Sequence, residues 1–173
     1  AKLEAMGYRT TVLVMDGHST DATPEVAQAH GVLFIDQHDS GKGSAIRHGF
    51  REALDLDADA VVMLDADGTY APDEMTQLLM RLGDHDVVIG DRLNGTIAHN
   101  AMTRMNFLGN HLLTWFATAL FGAVTSDVCS GYWAFSREAM HVLQLNSQSF
   151  EIEAEMFASM VHRQVSFGFH PIS

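Results

Sequence analysis

Two carboxylates, Asp65 and Asp67, follow directly on the apolar run 61–64. On extended backbone, residues i and i+2 point to the same side. Their Cα atoms then lie roughly 6.5 Å apart. Two carboxylates so placed can converge on one hard cation, at oxygen distances near ~2.1 Å. Gly68 and Pro72 turn the chain away. The acids are left at the carboxyl edge of a sheet, where ligands bind in open α/β folds. A cation there would bridge a diphosphate. Taken alone, D-x-D is a weak signal, and the competing reading is two solvated acids in an acidic turn.

Three further stretches sit where strands end. Asp16 opens Asp16-Gly17-His18-Ser19-Thr20-Asp21-Ala22-Thr23. An acid at a strand end followed by hydroxyl residues can hold a ribose or a base edge; the competing reading is an Asx turn and a helix cap at Thr23. Gly41-Lys42-Gly43 precedes a helix. Its glycines would let backbone approach a ligand, and the helix N-terminus favours an anion. It is not a Walker loop, because the G-x-x-x-x-G-K-[ST] spacing is absent. Arg92, in Gly90-Asp91-Arg92, and Arg104 could grip a second phosphate. The alternative for each is a salt bridge to a nearby carboxylate. The ten histidines lack H-E-x-x-H spacing, and no G-x-S-x-G elbow is present. Cys129 reads as a small buried residue rather than a nucleophile.

The elements that must position these residues alternate. Strands are expected at 11–15, 32–35, 60–64 and 87–89, with 60–64 buried on both faces. Helices are expected from Pro24 to Gly31, over 43–54, and from Pro72 to Gly83. This alternation argues for βαβ units and a mainly parallel sheet flanked by helices. Beyond it, residues 101–121 read as one long helix, 132–135 as a short strand, 150–162 as a helix and 164–169 as extended. Bulky apolar residues lie on more than one face of 105–121. That suits an interfacial helix or a core helix, but it is too short to span a bilayer.

The 173 residues amount to one domain. One cysteine excludes a disulfide framework and a thiolate zinc site. No basic n-region precedes an apolar stretch, so no signal peptide is visible. The 22 acidic residues face 10 basic ones, only Lys2 and Lys42 being lysines, for a net charge of −12. Binding to nucleic acid through neutralised phosphates is disfavoured. Such a surface fits a protein kept soluble in concentrated salt, or an acidic mesophile. The chain opens with Ala1 inside a helix end and stops at Pro171-Ile172-Ser173, so it is expected to be a piece cut at both ends.

In this order the motifs carry a resemblance. Asp16-Gly17-His18-Ser19-Thr20-Asp21, Gly41-Lys42-Gly43-Ser44-Ala45, Asp65-Ala66-Asp67-Gly68-Thr69-Tyr70 with Pro72, Gly90-Asp91-Arg92, Asp127-Val128-Cys129-Ser130-Gly131-Tyr132-Trp133-Ala134-Phe135 and Phe150-Glu151-Ile152-Glu153 succeed one another. The series, over residues 8–173, resembles the inverting GT-A family 2 glycosyltransferases. It is most similar to the polyprenyl-phosphate sugar synthases that charge dolichyl phosphate with mannose or glucose. With Met102-Thr103-Arg104-Met105-Asn106, it looks like the archaeal members that serve protein N-glycosylation.

The resemblance implies a GT-A fold, Rossmann-like, in a single domain over 1–173 that lacks the family's first strand. It implies that Asp16, Lys42, Asp65, Ser130 and Gly131 bind a nucleotide-sugar, a UDP- or GDP-hexose. Asp65 and Asp67 would hold Mg²⁺ or Mn²⁺. Asp127 and Asp67 would be catalytic, Asp127 as a general base or a sugar-orienting carboxylate. Arg92 and Arg104 would hold the phosphate of a polyprenyl acceptor. Residues 101–121 would lie on the cytoplasmic face of the cell membrane. Thr69 stands where mannose synthases carry Gln, which weakens a mannose assignment, and Gly17 replaces the second acid of the first acidic pair. Rival classes are a GT-A-like nucleotidyltransferase and a non-catalytic sugar-nucleotide- or lipid-binding relative.

Overall fold

The computed structural model describes residues 2–92, 127 and 130–173. Its contacts gather into two compact units, Ala1–Leu56 with Asn146–Ile152, and Asp57–Leu145 with Glu153–Ser173. The helix expected over 101–121, with Arg104, and Cys129 lie outside the described residues. Among the described residues no helix is long and apolar enough to cross a membrane.

In the first unit, α1 (Lys2–Ala5) precedes β1 (Leu13–Asp16), α2 (Thr23–Ala29), β2 (Leu33–Asp36) and α3 (Lys42–Asp55). β1 and β2 pair in parallel, with Asp16 opposite Asp36. The strands are short and mostly half-exposed. Thr23 does not cap α2 as expected. It is the first helical residue, and Ala22 before it offers no side-chain cap. Asp21 takes over that role, its Oδ1 accepting from the Thr23 N–H at 3.0 Å and from its hydroxyl at 2.5 Å. A carboxylate reaching two residues ahead is an Asx turn.

In the second unit, β3 (Ala60–Met63) leads through a 3₁₀ turn (Pro72–Glu74) to α4 (Met75–Arg81) and β4 (Val87–Asp91). After the undescribed stretch come β5 (Trp133–Ser136), α5 (Arg137–Val142), α6 (Ile152–Arg163, which enters this unit at Glu153) and β6 (Phe167–Pro171). The sheet order is β3-β5-β4-β6. β4 and β6 are parallel, while β5 runs antiparallel to both β3 and β4. The protein is therefore α/β, with antiparallel β5 set between strands that the alternating pattern alone had ordered.

β5 and β4 form the core. Val87, Val88, Ile89, Trp133, Ala134 and Phe135 are fully buried. Each large apolar side chain hidden this way contributes about 1.5–3 kcal/mol. One face of the sheet packs Tyr70, Leu78, Tyr132 and Ile172 around Val88 and Ala134. The expectation that 60–64 is buried on both faces is corrected: β3 is only half-buried along its length. It is the edge strand of this sheet, whereas β4 has neighbours on both sides. Ser136 caps α5, its Oγ accepting from the Ala139 N–H at 3.1 Å.

Candidate functional site

The paired acids lie beyond the strand rather than on it. β3 stops at Met63, and Ala66 and Asp67 form a turn that Gly68 completes at φ +80°. That φ is one glycine adopts at no steric cost. Asp67 is exposed and closes the turn, Oδ1 accepting from the Thr69 N–H at 2.9 Å. Turn geometry, and not the strand alternation expected of an i, i+2 pair, orients Asp67. Asp65 is half-buried and is braced from the far end of the sequence. A side chain on Gly131 would fall onto Asp65 Oδ2 and within 2.8 Å of its Cγ. Only the absence of a Cβ at position 131 lets the carboxylate rest there.

Tyr70, to which no role was given from sequence, completes this corner. Its phenolic oxygen accepts from the Gly131 N–H at 2.6 Å, across 61 residues of chain. Tyr132 meets its ring edge-on, with centroids 5.3 Å apart. Ser130, fully buried, is built into the same turn. Its carbonyl accepts from Trp133 Nε1 at 2.6 Å and its hydroxyl from the Tyr132 N–H at 3.2 Å. Neither Tyr70 nor Trp133 carried a spacing signal, since each is a single aromatic whose partner is distant or backbone.

Asp127 is fully buried and is held by Arg92. Arg92 donates from its backbone N–H (3.2 Å) and Nε (2.9 Å) to Oδ2, and from Nη2 (3.2 Å) to Oδ1. This is the fork geometry that arginine offers a carboxylate. The salt bridge that stood as the alternative for Arg92 is therefore present. Its guanidinium also lies 5.7 Å from the Tyr70 ring centroid. The side chain keeps 21% exposure, so one side of it still faces outward.

In the first unit, Asp16 ends β1 nearly buried. Ser19 donates to it twice, from Oγ to Oδ1 at 2.5 Å and from N to Oδ2 at 2.8 Å. The Ser19 hydroxyl, then the Ser19 amide, holds this carboxyl below its usual range. His18 takes the left-handed conformation that makes the turn, at φ 66°. Lys42 is the first residue of α3, which starts one residue before the expected 43, so Lys42 and Gly43 lie in the helix rather than before it. Its glycines serve a different purpose from the one expected. A Cβ on Gly41 would strike the Gln148 carbonyl oxygen, and one on Gly43 the Ser147 carbonyl oxygen. Both glycines let the chain's own 146–152 segment dock, rather than leaving backbone open to a ligand.

Among the described residues, no group of three or more His, Cys, Asp or Glu forms a self-sufficient metal site. Asp65 and Asp67 offer oxygen donors only, which suits Mg²⁺ or Mn²⁺ when phosphate and water supply the remaining ligands.

Residues 2–143 match the pattern of Glycosyl transferase family 2. The chain belongs to glycosyl transferase family 2. It is 39% identical over 155 residues to a Haloferax volcanii protein named glycosyltransferase AglJ, covering 89% of this chain and 50% of that one. It is 35% identical over 137 residues to the dolichyl-phosphate hexose transferase of the same organism, covering 79% and 58%. The family 2 chain thus spans about half the length of these relatives. Its fold is that of the GT-A glycosyltransferases. The glucosyl-3-phosphoglycerate synthase of Mycobacterium tuberculosis, solved with Mn²⁺, UDP and glucosyl-3-phosphoglycerate, superposes with TM-score 0.73 at 21% identity, over 94% of this chain and 58% of that one.

Proposed function

We propose that the intact protein transfers a hexose from a UDP- or GDP-sugar to a polyprenyl (dolichyl) phosphate with inversion, as a step of protein N-glycosylation. The observation that carries this reading is the Asp65 carboxylate braced on Gly131, beside the exposed Asp67, in a family 2 chain. The relatives' names support the acceptor class. The 173 residues act as one glycosyltransferase domain.

Asp65 and Asp67 hold Mg²⁺ or Mn²⁺, which when bound neutralises the charge building on the leaving diphosphate. Asp16 and Lys42 bind the nucleotide, and Ser130 and Gly131 line the sugar side. The acceptor phosphate oxygen attacks the anomeric carbon from the face opposite the diphosphate. A phosphate is already ionised near neutral pH, so positioning and charge matter more than deprotonation. Asp127 therefore acts by orienting Arg92, whose outward side, with Arg104, meets the acceptor phosphate. Residues 101–121 approach the lipid at the cytoplasmic face of the membrane. The net charge of −12 and the named Haloferax relatives fit function in concentrated salt.

The test is a donor screen of the intact protein with dolichyl phosphate, with and without chelator. A sugar-lipid product that chelator abolishes is expected. Formation of a nucleotide-sugar and pyrophosphate from a nucleoside triphosphate and a sugar 1-phosphate, assayed in parallel, would instead identify a nucleotidyltransferase, and no turnover in either assay would identify a non-catalytic binding relative.

A further inference from the structure

Tyr70 joins the two carboxylates that the proposed reaction uses in different ways. It is 6% exposed, and burial, its largest influence, raises the pKa of its phenol, so the hydroxyl is neutral at ordinary pH. Its oxygen takes the Gly131 N–H at 2.6 Å. Its ring edge lies 3.2 Å from the point where a Gly131 side chain would begin, the point that the Asp65 carboxylate also crowds. The Arg92 guanidinium that holds Asp127 lies over the same ring, 5.7 Å from its centroid.

We propose that Tyr70 is a positioning residue for Asp65: by pinning the Gly131 amide it fixes the 130–132 turn as the wall on which that carboxylate rests, and it ties the wall to the Arg92–Asp127 pair. The inference rests on the metal reading of Asp65 and Asp67. A carboxylate in the loop beyond a strand can rotate about two side-chain torsions. A rigid surface against one oxygen removes most of those rotamers before a cation arrives. Groups that orient a metal ligand in this way typically change metal affinity by roughly 10–100-fold when removed. The phenol oxygen does this through one hydrogen bond, because Gly131 is where the turn touches the carboxylate.

The experiment is a Mn²⁺ titration of the intact protein followed by electron paramagnetic resonance, on wild type, Tyr70→Phe, Gly131→Ala and Asp65→Asn. Folding of each is checked by circular dichroism. Tyr70→Phe is expected to weaken Mn²⁺ binding roughly tenfold. At saturating Mn²⁺, its KM for the sugar nucleotide should stay within about twofold of wild type. A general loosening of the fold would not produce that split. Gly131→Ala should weaken binding further, since it displaces the carboxylate directly, and adding Tyr70→Phe to it should cost little more. If Tyr70→Phe binds Mn²⁺ as wild type does while Asp65→Asn loses it, the bracing role is overturned and the metal reading stands. If Asp65→Asn also binds as wild type, the metal reading fails and takes this inference with it. Should Tyr70→Phe fail to fold, Gly131→Ala carries the test alone, and unchanged Mn²⁺ affinity there overturns the proposal.

Discussion

The two units differ in how they hold their buried candidate carboxylates. In the first, Asp16 is held by Ser19, three residues on, and Asp21 by Thr23, two residues on. Its β1–β2 sheet is short, and Leu33 is 44% exposed. In the second unit Asp67 is likewise held locally, by Thr69, but the other contacts cross the chain. Tyr70 reaches Gly131 over 61 residues and Arg92 reaches Asp127 over 35. Those contacts hang on β4 and β5, whose central side chains are fully buried. Local turns make a site cheap to form and tolerant of change nearby. Long-range contacts make a site as rigid as its core, and as vulnerable to loss of that core.

The largest expected effect tests this difference in the core itself. Phe135→Ala should cost about 3–5 kcal/mol, the usual range for deleting a fully buried aromatic ring. Leu33→Ala in β2 should stay near ±0.5 kcal/mol, as exposed substitutions do. Urea unfolding of both measures it, and equal losses would break the comparison.

Removing Arg92 comes next. Arg92→Ala removes the guanidinium from the fully buried Asp127 carboxylate, and breaking a buried pair from one side costs roughly 3 kcal/mol or somewhat more. For a protein of this size that lowers Tm by roughly 6–12 °C. Arg92→Ala with Asp127→Ala together should lose less than the two singles summed. Strict additivity by calorimetry would show that the pair does not act as a unit. In the same variants, the KM for dolichyl phosphate should rise more than that for the sugar nucleotide. Loss of donor affinity alone would remove Arg92 from the acceptor side.

Asp67→Asn separates chemistry from stability. Asp67 is exposed, so Tm should hardly move, while turnover of the intact protein should fall on the order of 10²-fold or more. Activity like wild type, or a large fall in Tm, would contradict its placement at the metal.

The smallest effects are in the pH limbs. Burial, with Glu74 adding to it, raises the Tyr132 phenol from 10.0 to about 12. The unfolded chain ionises it first, so its contribution is complete below pH 10 and is lost as pH rises toward 12. Tyr132→Phe should flatten that alkaline loss. Asp16 is shifted the other way, below 3.8, by Ser19. Its contribution is complete above the unfolded value and is lost as pH falls through the folded one. Ser19→Ala should shrink the acid limb below about pH 4. Melting curves across pH read both; an acid limb unaffected by Ser19→Ala would deny the local turn its role.

The alternation of strands and helices, an acid ending β1, the acids beyond β3, and a helix beginning within a residue of Gly43 follow from residue type and spacing alone, because a turn, a cap or a strand end is decided within a few residues. The family was legible for a related reason: its motifs occur in a fixed order along the chain. What spacing could not decide depends on residues far apart in sequence. Nothing near 133–136 marks β5 as antiparallel between β3 and β4, since strand order comes from the burial of the whole sheet. Nothing near Gly41 or Gly43 says that their missing side chains make room for residues 147 and 148 rather than for a ligand. The apolar run of β3 looks like a doubly covered strand, but coverage depends on neighbours, and β3 lies at the edge of its sheet. The wall behind Asp65 is built from a glycine amide and a phenol 61 residues apart, and a hydrogen bond of that reach exists only once the sheet has brought its partners together.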